Sequence, residues 1–110
     1  MIELPTKTTE KEEIQTRDEI PLATLDFKSA PNPFSHSTEI SFDLEEEAQV
    51  SLAIYNTLGS QVALLLNEPR LRGQQRVIFR AEDLAPGIYY ASLQINGFVE
   101  TIKLMINPQR

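Results

Sequence analysis

The chain has 110 residues, no cysteine, 41% apolar and 24% charged side chains and a net charge of −6, which is room for one globular domain and excludes a disulfide framework, a thiolate nucleophile and Cys-ligated zinc. The acidic balance argues against nucleic-acid binding, which needs clustered Lys and Arg to displace counterions from phosphates, and against adhesion to an anionic bilayer. Apolar runs such as residues 62–66 fall far short of the roughly 18 residues a membrane-spanning helix needs, so no direct membrane insertion is expected, and the opening MIELPTKTTE lacks the basic start and apolar stretch of a secretory leader.

Residues 1–27 differ in texture from the rest. They carry seven acids against three bases, net −4, leaving −2 for the remainder. TKTTEKEEIQTRDE has no sustained apolar period and cannot bury enough surface to offset its ordering entropy. It reads as a flexible acidic linker, with a short amphipathic helix over residues 10–20 as the competing reading.

From about Asp26 the pattern becomes short strands punctuated by turn residues every 8 to 12 positions, the signature of a sandwich or barrel. LDFKSA is the first expected strand. The prolines of Pro31-Asn32-Pro33-Phe34 have no N–H to donate and hold their predecessors extended. They should fix where that strand ends and the next begins, with Phe34 tucking the bend onto the core.

STEISFDL then sends Ile40, Phe42 and Leu44 to one face, and Glu45-Glu46-Glu47 ends it. In the third strand Val50, Leu52 and Ile54 alternate with Ser51, Ala53 and Tyr55. Asn56-Thr57-Leu58-Gly59 closes a hairpin, with Gly59 the candidate for positive φ. QVALLLNE is the fourth strand, ended by Pro69 and the loop PRLRG; QQRVIFRA is the fifth, burying Val77 and Phe79. Pro86-Gly87 marks a turn, and Asn96-Gly97 is a strong hairpin signal between strands at about residues 88–95 and 98–106. No ten-residue stretch of the domain carries a helical period, so the fold expected is all-β with seven strands.

Chemistry-bearing constellations are sparse. The single histidine, His36, lies in a polar segment and cannot build a metal cluster without helpers; Ser35, His36 and Asp43 make a triad on paper only, without a strained nucleophile elbow. The three consecutive acids 45–47 point different ways and lack the spacing of a calcium loop. Arg70, Arg72, Arg76 and Arg80 form a basic island that reads as a soluble strand face. No catalytic, metal or cofactor site is expected. Leu84, Pro86, Gly87 and Tyr90 have tyrosine-corner spacing, while strand alternation favours Tyr89, with Ala91, Leu93 and Ile95, as the buried ring.

Pro31-Asn32-Pro33-Phe34, the run Val50 to Asn56 with Leu58-Gly59, Leu84-Ala85-Pro86-Gly87-Ile88-Tyr89, and Gly97 with Lys103 together resemble the C-terminal sorting domain of type IX secretion cargo. The related Ig-like module of flagellar hook-capping proteins shares several of these pieces. The resemblance covers roughly residues 28–106 and implies an immunoglobulin-like sandwich of about seven antiparallel strands at the end of a longer secreted protein. It also implies passage through the periplasm, recognition by secretion-system proteins at the outer membrane, and in many members removal by a processing protease at the preceding segment, to which residues 1–27 correspond. Gly87 and Tyr89 match the family's LxxGxY motif, Gly97 its late hairpin glycine and Lys103 its C-terminal basic position. The short tail, residues 107–110, departs from the family's usual ending.

An exposed last strand presents unpaired N–H and C=O groups to another protein, which makes Gly97, Thr101 and Lys103 the expected partner-binding positions. Two other classes compete with a sorting signal: a non-catalytic adhesion module binding a protein or glycan, and an assembly domain of the flagellar-cap type.

Overall fold

A computed structural model describes residues 26–108. Seven strands follow one another: β1 Lys28–Ala30, β2 Ser37–Leu44, β3 Ala48–Tyr55, β4 Gln61–Arg70, β5 Gly73–Arg80, β6 Gly87–Ile95 and β7 Phe98–Ile106. They form two antiparallel sheets, one of three strands in the order β1-β2-β5 and one of four in the order β4-β3-β6-β7. The immunoglobulin constant arrangement keeps the fourth strand beside the first, second and fifth; here it lies in the other sheet, paired with the third.

The core is made by strict alternation. Ile40, Phe42 and Leu44 of β2 face Val50, Leu52 and Ile54 of β3 and Ala91 and Leu93 of β6, all buried, and Leu104 and Ile106 close the layer from β7. Phe34 stacks edge-on against Phe79 with centroids 5.9 Å apart, and Phe27 against Phe42 at 6.4 Å. Edge-to-face rings of this kind add roughly 1 kcal/mol each to the burial itself.

The elements follow the sequence pattern with three shifts. β1 is confined to Lys28–Ala30, although buried Phe27 belongs to the core. β4 runs through Pro69 to Arg70: it is an edge strand, where a residue without an N–H is tolerated, so the loop before β5 shrinks to Leu71 and Arg72. In β5, Gln75 and Phe79 are the buried pair of positions while Val77 between them is only half-buried. Gln75 donates to the carbonyls of Leu71 and Gly73 and accepts from Arg70, which ties the tight β4–β5 turn to the sheet.

Both hairpin signals fold as written. Asn56 accepts the amides of Leu58 and Ser60 on its side-chain oxygen, and Gly59 takes φ +86°. At the β6–β7 turn Asn96 and Gly97 both have positive φ, +48° and +95°, the two-residue turn whose twist matches that of its strands. Residues 1–25, on which most of the linker reading and the helix alternative fall, lie outside the described residues, as do 109–110.

Candidate interaction surface on the last strand

The last strand is an edge, and its outer rim is half covered. β7 pairs with β6 in unbroken register from Gly87↔Ile106 to Ile95↔Phe98. In an antiparallel pair, alternate residues direct both backbone groups away from the partner strand. The groups that face out are identified by their occupants: the Asn32 side chain donates to the Lys103 carbonyl at 2.8 Å and accepts the Met105 N–H at 3.0 Å. Phe34 continues the cover, donating to the Met105 carbonyl at 3.0 Å and accepting from the Asn107 amide at 2.7 Å, in a parallel bridge to Ile106.

The same alternation places the N–H and C=O of Val99 and Thr101, and the N–H of Lys103, on the open rim. Among the described residues none bonds to them. The two-proline segment therefore does more than separate two strands: it caps the C-terminal half of the final one.

The cap is held from below. Buried Thr38 donates its hydroxyl to the Pro31 carbonyl at 2.7 Å. Its single proton being so used, Ser29 at 2.6 Å is the donor to Thr38. The peptide bonds before Pro31 and Pro33 are both cis. Phe34 at 2% exposure anchors the other end.

The two outer sheet faces differ in chemistry. That of the three-stranded sheet alternates charges, with Glu39 beside Arg76 at 3.9 Å and Lys28, Asp43 and Arg80 around them. On the four-stranded sheet the register sets Asn67, Ser51, Gln94 and Val99 in one row, Leu64, Ala53, Ser92 and Thr101 in the next, and Gln61, Tyr55, Tyr90 and Lys103 in the third. In these three rows Lys103 is the one charged residue. It is exposed, and no ion pair engages it among the described residues.

The remaining sequence-marked residues sort by role. Tyr89 is buried and its hydroxyl donates to the Ala85 carbonyl at 2.7 Å, so the back-bond expected of a tyrosine corner is made by Tyr89 and not by Tyr90, which lies on the outer face. Gly87 opens β6 with φ +140°, and half-buried Leu84 packs against the core. The basic island is divided: Arg70 is held by Glu68 at 2.7 Å, Arg76 by Gln74 and Glu39. Ser35 and His36 precede β2 and Asp43 lies near its far end, roughly 20 Å away along an extended chain, so the three do not converge. Glu45, Glu46 and Glu47 occupy the exposed β2–β3 connection.

Sequence reasoning missed Asn32 as the cap of β7. The signal was the asparagine between two prolines, a side chain with both donor and acceptor groups between two residues that lack an N–H; only the register shows what it reaches. A family model described as the secretion system C-terminal sorting domain matches residues 29–107. No curated protein matches the chain.

Proposed function

The chain belongs to the secretion system C-terminal sorting domain family, and from that premise we propose how its sorting signal is read. The domain is a type IX secretion signal, carrying the protein attached to it across the outer membrane to the cell surface or beyond. In our reading the outer-membrane machinery pairs with the open half of the β7 rim, at Val99, Thr101 and the Lys103 amide, while the Lys103 ammonium meets an acidic group of the partner. Gly97 sets the hairpin that presents this rim.

The observation that carries the reading is the division of the β7 rim by Asn32 and Phe34. An edge left wholly open invites pairing with any strand; one with only its first half open offers a short template of defined length next to one cation. Main-chain bonds would give affinity and Lys103 selectivity, the logic of strand addition. The body contributes no catalytic step of its own. Within residues 1–27, polar and acidic, a processing protease would separate the domain from its cargo ahead of the buried Phe27.

The test is a fusion of residues 1–110 behind a signal peptide and a folded reporter, in a host with the type IX system and in its secretion-deficient mutant. Reporter outside the cell in the first host alone is expected. Periplasmic retention of a folded fusion in the competent host would falsify the assignment.

A further inference from the structure

We propose that the outer face of the four-stranded sheet, whose one charge in the three aligned rows is Lys103 at its β7 margin, is a binding site for a neutral oligosaccharide, centred on the uncharged groove between Gln49, Asn67, Gln94 and Asn96. The groove adjoins the β7 rim but uses side chains of β3, β4 and β6 and the turn after β6, not the open backbone groups of β7, and the inference does not rest on how export is read.

The groove is open, about 280 Å³ in volume, and lined by Gln49, Ser51, Asn67, Gln94, Asn96 and Gly97. Its one internal contact is a long Gln49 to Asn67 bond of 3.5 Å. That bond leaves the Gln49 oxygen and the Asn67 nitrogen unused, and Gln94, Asn96 and Ser51 have no side-chain partner among the described residues. A carboxamide carries a donor and an acceptor side by side. Adjacent sugar hydroxyls, each able to donate and accept, are its natural complement.

Charge argues for the same class. The chain is 24% charged, yet none of the six lining residues is. A site for a phosphate, a carboxylate or a basic peptide would carry the opposite charge, because desolvating an ion without a counter-charge is costly.

The other end of the face supplies an apolar platform. Tyr55 and Tyr90 are directly opposite each other across β3 and β6, both half-buried. Next to them Ala53, although it points away from the core, is only 4% exposed, so the larger side chains around it close over the sheet surface. Tyrosine offers an apolar ring with a polar tip, suited to the C–H face of a sugar. From Ser51 to Tyr55 the strand rises roughly 13 Å, so one extended ligand can reach both ends.

The experiment is native affinity electrophoresis of the 110-residue chain through gels containing dextran, mannan, laminarin or hydroxyethylcellulose, with alginate as an anionic polymer. Expected is retardation by at least one neutral polymer, unchanged at about 0.5 M NaCl, where exposed charges are screened. Asn67→Ala with Gln94→Ala, both exposed positions, should weaken it about tenfold, the scale of one or two lost hydrogen bonds. The same variant should keep the parent melting temperature. Retardation by alginate alone, by no polymer, or by a neutral polymer equally in the double variant overturns the proposal.

Discussion

The Asn32 carboxamide donates to the backbone carbonyl of Lys103 at 2.8 Å, across 71 positions of sequence, and accepts from the amide of Met105. A side chain here does what a neighbouring strand would do. It closes one stretch of the final rim and leaves the stretch before it open, so the position of the proline-rich turn near the start of the domain fixes what its end can present.

Replacing Asn32 tests that link. Asn32→Ala removes both bonds at an exposed site and should cost about 1 kcal/mol, with the Met105 amide exchanging faster in hydrogen-exchange measurements. Asn32→Asp keeps the acceptor but sets a carboxylate against the Lys103 carbonyl, and should be the less stable of the two. Equal exchange at Met105 in all three proteins would remove the capping role.

Tyr89 separates ring from hydroxyl. Tyr89→Phe loses only the bond to the Ala85 carbonyl, about 1 kcal/mol, whereas Tyr89→Ala empties a buried ring site and should cost about 3 to 5 kcal/mol. Urea titrations of the two variants give the comparison directly. A Phe variant as unstable as the Ala variant contradicts the division.

Gly97 is held at φ +95° with open space where a Cβ would project. Gly97→Ala should therefore destabilise through backbone strain alone, by about 1 kcal/mol, and Gly97→Asn by less, since asparagine tolerates the left-handed region. A thermal melt of each variant decides it.

Much of this architecture was legible because it rests on local rules. Alternation in residues 37–44 and 50–55 gave the core faces, and Asn96-Gly97 gave its hairpin, since these are properties of a few neighbouring residues. Tyr89 was placed in the core by period alone, but its hydroxyl bond was assigned by spacing to the wrong tyrosine. What stayed hidden was non-local. Pro69 looked like a strand end because nothing in its neighbourhood says that β4 is an edge, and Asn32 was read only as part of the segment separating two strands because its partners lie 71 and 73 residues away. That Lys103 is the one charge in three rows of an outer face likewise emerges only when four strands are laid in register.

Lys103 is exposed and its side chain engages no acid among the described residues. Lys103→Ala should leave stability within about 0.5 kcal/mol of the parent while impairing export of the reporter fusion. A melting loss comparable to that of Tyr89→Ala would instead make the lysine structural.

The most direct measurement compares Thr101→Pro with Ile102→Pro in the same fusion. The Thr101 N–H points out from the sheet, so a proline there costs no ladder bond; at Ile102 the N–H faces β6, and its loss should unfold the domain. A strand that docks on the open rim predicts that Thr101→Pro remains folded, resists proteolysis and leaves the reporter in the periplasm. Export of that folded variant at the parent level would contradict recognition through the rim.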